Sequence, residues 1–194
     1  KYLVNQLISK DCNVIGVAGF YTDNNGETTI NLHPSMCGFF VPVRNEKGQI
    51  QGMQIRLDEP KDKRKYMWLS SSGRNGGCSS GSPVQISGNI FQSGAVYVTE
   101  GALKCQIAHY LSGKPFIAVA GVNQHKALKA VVEALKVKGK CKIIVDAFDI
   151  DDITNPYVAQ GHQHLIEMAK QYGFIPYRLK WQDYKGIDDF LCAK

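Results

Sequence analysis

The segment AVYVTEGALKCQIAHYLSGKPFIAVAG, residues 95–121, contains the pattern that decides the fold. It begins with a short apolar run of strand type, continues with Leu103, Ile107 and Leu111 at helical spacing, and ends with a second apolar run. Gly113 marks the end of the helical part. A strand, a helix and a strand in this order predict two parallel strands with the helix packed on their sheet.

The same alternation continues towards the end of the chain. Two further helical segments and two further apolar runs follow, NQHKALKAVVEALKVKG, CKIIVDAF, NPYVAQGHQHLIEMAKQYG and FIPYRLKW. We therefore predict an α/β domain over residues 94–194, with a parallel four-stranded sheet and flanking helices. In such sheets, ligands bind beyond the carboxyl ends of the strands.

The first half of the chain has a different pattern. After a short opening helix, the runs GFFVPVR and IQGMQIRL are joined by the polar turn NEKGQ, which indicates a β-hairpin. Residues 70–94 are rich in serine and glycine and are predicted to be mostly loop. We therefore expect a smaller, basic, β-rich α+β lobe at residues 1–93.

Composition excludes some classes of protein. The chain has 194 residues and a net charge of +6, and its apolar runs are shorter than the ~20 residues that span a bilayer. The start lacks a secretory pattern and begins with lysine, so we expect a cytoplasmic fragment of a longer protein without a membrane partner. The six cysteines include no C-x-x-C pair and are interpreted as reduced thiols rather than zinc ligands.

A basic segment precedes the serine-rich region. KDKRKYMW, residues 61–68, combines four cations with two aromatic residues. This composition is typical of a surface that binds a phosphate backbone and unstacked bases, although a solvated charged turn is the alternative interpretation. The candidate residues are Lys63, Arg64, Lys65, Tyr66 and Trp68.

Acidic residues follow three of the predicted strands. Glu100 ends the first, Asp149 and Asp151 follow the third, and Asp188 and Asp189 come after the fourth. In extended backbone a D-x-D pattern presents both carboxylates to one side, and clustered carboxylates favour a hard cation such as Mg²⁺. Capping of the next helix is the alternative role for any single one of these acids.

Asp146 and the helical histidines have no part in that prediction. Asp146 is an odd number of residues from Asp149 and Asp151, so it is expected to face elsewhere and, if buried, to need a partner. His162 and His164 do not share a helix face and are interpreted as ordinary surface histidines.

Four segments of the second half together resemble the Toprim domain that bacterial-type primases, topoisomerases and some nucleases share. In chain order they are VYVTEGALK, VAGVN, IIVDAFDID and KGIDDFL. The resemblance implies that Glu100, Asp149 and Asp151 are catalytic and bind Mg²⁺ or Mn²⁺. Asp188 and Asp189 match an acidic segment of primase-type members and are further candidate ligands.

The resemblance extends upstream. The first half is similar to the primase catalytic core in the segment GFFVPVRNEKGQIQGMQIRLD and the following KYMWLSSSG. The WLSS and KGIDD motifs resemble LtrC-like primase-related proteins of plasmids and conjugative elements. The resemblance implies that Arg44, Arg56, Lys65 and Tyr66 hold template and nucleotides. Lys104, where many Toprim helices place an aspartate, and Lys185 are additional candidates for binding nucleic acid or nucleotides.

The function that the resemblance implies is metal-dependent nucleotidyl transfer. It would be primase-like RNA primer synthesis during replication of a mobile element, with single-stranded DNA in a basic groove between the lobes. A helicase or other replication proteins are expected as further partners through parts outside this chain. Toprim-type phosphodiester cleavage and a catalytically silent nucleic-acid-binding module are the alternatives.

Overall fold

The computed structural model describes residues 2–33, 36–61, 64–121, 124–150 and 156–194. Two of the candidate site residues, Lys63 and Asp151, lie outside these ranges. The chain divides into two compact units, one of Lys1–Pro42 and Gly52–Ser82 and the other of Val43–Gln51 and Pro83–Lys194. The predicted lobe boundary near residue 93 stays a prediction.

The first unit contains most of the β-rich half. Helix α1 is followed by a two-stranded antiparallel sheet of β1 and β2, and the strands β3, β4 and β5 form a three-stranded sheet in that order. The bounds of these elements are Tyr2–Ser9 for α1, Phe20–Thr22 for β1, Thr28–Ile30 for β2, Gly38–Arg44 for β3, Ile50–Lys61 for β4 and Arg64–Trp68 for β5.

The hairpin predicted from GFFVPVR and IQGMQIRL is confirmed. Strands β3 and β4 are neighbours, and the Asn45 backbone N–H donates to the Gln49 carbonyl at 3.0 Å. The Asn45 side-chain oxygen accepts from the N–H groups of Lys47 and Gln49, each at 3.0 Å. Asparagine forms turns of this kind because its short side chain reaches backbone donors two and four residues ahead.

The second unit contains a five-stranded sheet and four helices among the described residues. Its strand order is β10-β9-β7-β8-β6. The elements are β6 (Gln85–Ser87), β7 (Ala95–Glu100), α2 (Ala102–Ser112), β8 (Phe116–Val119), α3 (His125–Lys138), β9 (Ile143–Asp146), α4 (Pro156–Gln171), β10 (Ile175–Arg178) and α5 (Ile187–Cys192). Strands β7 to β10 are the four predicted strands, and they pair in parallel.

Strand β6 was not predicted. It pairs antiparallel with β8 at the edge of the sheet, within the segment expected to be mostly loop. The strand is only three residues long and begins with a buried polar side chain, Gln85, so it lacks an apolar run. The Gln85 amide donates to Ser87 Oγ at 3.1 Å, and its oxygen accepts from the Arg44 N–H at 2.8 Å. These bonds satisfy the buried side chain.

Two layers of helices cover the sheet. On one face Val96, Val98 and Ile117 belong to a buried cluster with residues of α3 and α4 such as Leu128 and Leu165. On the other face alternate strand residues pack with α2 and α5 in a second cluster, which contains Cys105, Ala108, Phe116, Ala118, Ala147, Trp181 and Ile187. Burial on both faces explains why these strands are continuous apolar runs. No helix in the described ranges has the length and apolar character needed to cross a membrane.

The six cysteines are free thiols in different environments. Cys105 and Cys141 are buried, whereas Cys12, Cys37 and Cys192 are exposed. Burial raises the pKa of the Cys105 thiol to about 12, and a hydrogen bond with Ser87 only partly offsets this increase. Burial also raises the pKa of Cys141. Neither buried thiol is therefore set up as a nucleophile.

We expect N-ethylmaleimide at pH 8 to label Cys12, Cys37 and Cys192 in the native protein, and Cys105 and Cys141 only after unfolding. The reason is that a thiol with a raised pKa carries little thiolate at pH 8 and, when buried, does not meet the reagent. Peptide mass spectrometry with and without guanidinium measures the pattern. Rapid native labelling of Cys105 would contradict the packing of α2.

Candidate functional site

The carboxyl ends of β7 and β9 form the edge at which the predicted acids were expected. The two strands pair in parallel, with Val98 opposite Asp146. Glu100 is two residues beyond Val98, and Asp149 is three residues beyond Asp146. Neighbouring parallel strands therefore carry both acids to the same edge of the sheet.

The E-G pair ends β7 with a turn that requires glycine. Gly101 has a φ of 87°, which residues with a side chain rarely adopt. Its N–H donates to the Val119 carbonyl at 2.8 Å, and its own carbonyl accepts from the Cys105 N–H at 3.1 Å, which starts α2. The chain thus passes directly from Glu100 into a helix whose first turn carries Lys104.

Lys104, Asp149 and Asp188 meet in what we call the Lys104 cluster. The Lys104 ammonium forms an ion pair with the Asp149 carboxylate, and its Nζ lies 3.9 Å from Asp188 Oδ1. The side chains are 17%, 14% and 23% exposed. Gly186 leaves room for them, since a Cβ there would lie 2.9 Å from Lys104 Nζ and 2.5 Å from Asp188 Oδ1.

Backbone contacts bring the parts of this cluster together. The Ala147 N–H donates to the Val98 carbonyl at 2.8 Å, which extends the β7–β9 pairing past the end of β9. The Ile150 N–H donates to the Lys185 carbonyl at 3.1 Å, so the segment after Asp149 lies beside the segment that leads into α5. Helix α5 in turn packs on α2 through Ile187.

Asp188 carries an incompletely satisfied carboxylate. Its Oδ1 is buried and has no hydrogen-bond partner within the part of the chain that the structure describes. Burial raises the pKa of Asp188, the Lys104 ammonium lowers it, and Asp189 raises it further. A buried carboxylate oxygen without a donor, close to a second carboxylate, has the chemistry of a ligand for a hard cation.

The complete predicted metal site cannot be assembled from the described residues. Among them, no three His, Cys, Asp or Glu side chains form a group that could hold a metal ion. Asp151, the second acid of D-x-D, lies outside the described ranges. The donor chemistry of Asp149 and Asp188 fits Mg²⁺ or Mn²⁺, but the ammonium of Lys104 already contacts one of these carboxylates.

His162 is buried, so its interpretation as a surface histidine is wrong. It is 4% exposed, and its Nδ1 lies 2.5 Å from Asp146 Oδ2. Its Nε2 is 3.2 Å from Arg178 Nη2 and 3.3 Å from the Asp149 carbonyl oxygen. Asp146 Oδ1 also accepts from the Phe148 N–H at 3.1 Å. His162 is therefore the partner that a buried Asp146 required.

The Asp146–His162 pair fixes the segment that carries Asp149. Asp146 is the last residue of β9, so its two carboxylate oxygens connect this strand end to α4 and to the backbone of the following residues. The sequence signal for this arrangement was the rule that a buried carboxylate needs a partner. Helical spacing did not identify that partner, because it describes one helix and not the strand on which it packs.

Three of the binding candidates share a face of the β4–β5 pair. Arg56 lies opposite Tyr66, and Gln54 lies opposite Trp68. The Arg56 guanidinium carbon is 5.2 Å from the centre of the Tyr66 ring. Because directly opposed residues point to the same side, Arg56, Tyr66 and Trp68 form one surface. Lys65 directly precedes Tyr66 and points to the other side.

The remaining candidates lie elsewhere. Arg44 Nη1 donates to the Gly48 carbonyl at 2.8 Å, so Arg44 stabilises the hairpin turn. It also lines a groove of about 890 Å³ within the second unit, and none of the predicted acids lines that groove. Arg64, Lys185 and Asp189 are exposed.

One family model matches the chain. Residues 90–194 match the family described as "Domain of unknown function (DUF3854)". The match covers more than half of the chain, and the chain belongs to this family. No curated protein sequence matches it.

Solved structures of bacterial primases share the fold. The zinc-binding and RNA polymerase domains of Aquifex aeolicus primase match 99% of this chain with a TM-score of 0.67 at 16% identity. The RNA polymerase domain of Mycobacterium tuberculosis primase DnaG, in complex with double-stranded DNA, matches 97% with a TM-score of 0.65 at 16% identity. A DnaG catalytic domain bound to single-stranded DNA matches 98% with a TM-score of 0.58 at 14% identity.

These likenesses show the fold of a primase catalytic core, with a Toprim-like α/β part. The chain spans about half the length of these solved primases, between 45% and 59% of each. At 14–16% identity, the likeness to these primases concerns the fold of this chain.

We expect His162→Ala to lower the free energy of unfolding by about 3 kcal/mol, because it leaves Asp146 as a buried carboxylate without its main partner. Urea denaturation measures the change. Gln163→Ala is the matched control on the same helix, since Gln163 is exposed and donates to Glu167 Oε1 at 2.7 Å. Equal losses in the two variants would contradict a structural role for the buried pair.

Proposed function

We propose that this member of the DUF3854 family is a primase-type nucleotidyltransferase that uses Mg²⁺ or Mn²⁺ and a single-stranded DNA template. The observation that carries the proposal is the meeting of acids from separate segments at one edge of the sheet. Strand β7 delivers Glu100, the segment after β9 delivers Asp149, and the start of α5 delivers Asp188. This edge belongs to a fold shared with primase catalytic cores over nearly the whole chain.

Each acid has a proposed role. Asp149 and Asp151, with Glu100 and with Asp188 and Asp189 as further ligands, would hold the cation. A bound divalent ion would supply neutralisation of the triphosphate charge. The segment fixed by Asp146 and His162 would orient Asp149, and Glu100 would either complete the ligand set or accept the proton of the attacking hydroxyl.

The Arg56, Tyr66 and Trp68 surface supports DNA binding. Aromatic rings on a strand offer faces on which unstacked bases pack, and a guanidinium offers charge-assisted donors to phosphate. Arg64 is exposed on the same side of β5 and adds positive charge, whereas Lys65 is exposed on the other side and is proposed as a separate phosphate contact. Lys63, Arg44 and Lys185 are proposed as further phosphate contacts.

The proposed setting is replication of a mobile element in the cytoplasm. The sequence likeness to LtrC-like proteins supports it. A helicase or another replication protein is a proposed partner through parts of a longer protein.

A catalytically silent nucleic-acid-binding module is the second candidate. The ion pair between Lys104 and Asp149 favours it, because an ammonium that neutralises this carboxylate opposes binding of a divalent cation. The two candidates differ in whether new strands are made on the template.

We expect the protein to make short RNA strands on single-stranded DNA when it receives labelled ribonucleotides with Mg²⁺ or Mn²⁺. Glu100→Gln and Asp149→Asn should each reduce the product by about 100-fold, the usual loss when a group that stabilises transition-state charge is removed. Gel analysis of the labelled strands measures this. Lys129→Met, which removes an exposed cation of α3, is the control.

The other results of this assay each point to a different function. Cut template without new strands would support a nuclease. DNA binding with neither product would support the silent module. New strands that both acid variants leave unchanged would show that the acids are assigned wrongly.

We expect Tyr66→Ala to weaken binding of single-stranded DNA by about 5-fold or more, because loss of one stacked base costs roughly 1–3 kcal/mol. Fluorescence anisotropy with a labelled oligonucleotide measures the dissociation constant. Tyr177→Ala is the control, because Tyr177 is 59% exposed and lies in the second unit on β10. An equal effect of both variants would contradict a specific role for the Tyr66 surface.

A further inference from the structure

The Lys104 cluster contains a cation that belongs to the chain itself. The Lys104 ammonium contacts Asp149 and lies near Asp188, on the edge assigned above to a divalent ion. We propose that Lys104 is a built-in competitor of that ion: in the metal-free protein it pairs with Asp149 and offsets one of the two negative charges, and a divalent cation gains Asp149 only when the ammonium leaves. The inference rests on the proposed function, because it concerns the same acids.

The charges of the cluster support this role. Two carboxylates with one ammonium carry a net charge of −1, whereas the carboxylates alone would carry −2. All three side chains are mostly buried, so water screens their interactions weakly. Without Lys104 the two acids would repel each other, and an added cation would relieve that repulsion.

The position of Lys104 in its helix is unfavourable without these acids. Lys104 is the third residue of α2, and a positive charge in the first turn opposes the helix dipole. The first turn of α2 contains no acidic residue. The compensating charges therefore come from other elements, Asp149 after β9 and Asp188 in α5.

Gly186 and Asp188 form the space beside the Lys104 ammonium. A Cβ at Gly186 would come within 3 Å of both Lys104 Nζ and Asp188 Oδ1, so only glycine leaves both groups in place. Asp188 Oδ1 is buried and lacks a hydrogen-bond donor among the described residues, and Nζ at 3.9 Å is too distant to donate. Lys104 thus pairs with Asp149 Oδ1 and leaves one oxygen of Asp188 for another cation.

The proposal predicts that removal of the Lys104 charge strengthens metal binding. We expect Lys104→Met to bind Mn²⁺ about 10-fold more tightly than the natural chain, because the ammonium that contacts Asp149 and lies 3.9 Å from Asp188 no longer competes. Electron paramagnetic resonance of free Mn²⁺ measures the dissociation constant without any need for activity. Lys104→Arg keeps the charge and should bind Mn²⁺ as the natural chain does.

Two further comparisons locate the effect. Adding Asp188→Asn or Asp149→Asn to Lys104→Met should abolish the gain in Mn²⁺ affinity, since each removes a ligand. Lys129→Met removes an exposed cation whose Nζ is 4.0 Å from Glu133, and it should leave Mn²⁺ binding unchanged. An equal gain in Lys129→Met would mean that net charge alone is responsible, which would overturn the proposal.

Thermal unfolding gives a second readout. In EDTA the melting temperature of Lys104→Met should be lower than that of the natural chain, and Mn²⁺ should raise it more in the variant. If Lys104→Met does not fold, Lys104→Gln, which keeps the chain length and a donor but no charge, replaces it. Recovery of folding by Mn²⁺ would itself support the proposal.

Failure of this inference differs from failure of the proposed function. Equal Mn²⁺ affinity in Lys104→Met and the natural chain would overturn the inference, whereas strand synthesis would still test the enzyme. Tighter Mn²⁺ binding by the variant, with no strand synthesis by either protein, would support the inference and count against the enzyme.

Discussion

The parallel pairing of β7 with both of its neighbours is the constraint on which the second unit depends. Strand β7 bonds to β8 on one side and to β9 on the other, and its register sets Val98 opposite Asp146 and Glu100 opposite Val119. Its alternate side chains contribute to both buried clusters of the sheet. A shift of one residue would exchange the two faces and would move the E-G turn away from the edge where the acids lie.

Two buried acids near this edge are compensated in different ways. Asp146 has a hydrogen-bond partner on α4, His162, and a backbone donor, so both of its oxygens are satisfied. Asp188 Oδ1 lies 3.9 Å from the Lys104 ammonium and has no hydrogen-bond donor among the described residues. Complete satisfaction is typical of a structural group, whereas incomplete satisfaction is typical of a group that awaits a ligand. This contrast indicates that Asp146 stabilises the fold at this edge of the sheet, whereas Asp188 is available to bind a ligand.

Periodicity predicted the parts of the fold that depend on local pattern. The four parallel strands and the helices between them follow apolar runs of adequate length, and the β3–β4 hairpin follows its asparagine turn. Strand β6 was missed because a three-residue strand with a buried glutamine gives no pattern. The partners of Lys104 and His162 come from segments 45 and 16 residues away, and helical spacing carries no information on such contacts. Strand-end position and family resemblance both indicated the acids, but neither indicated that Lys104 pairs with Asp149.

Strand β10 at the outer edge of the sheet has a consequence for how copies of this protein meet. The N–H groups of Ile175 and Leu179 donate to the carbonyls of Lys142 and Asp146, so the backbone polar groups of residues 176 and 178 point away from β9. One of these is Pro176, which has no N–H to offer. Ile175 and Tyr177 are 65% and 59% exposed beside it, a composition that would otherwise attract a strand from another molecule. The missing donor interrupts any such ladder along β10 and so disfavours self-association through this edge of the sheet.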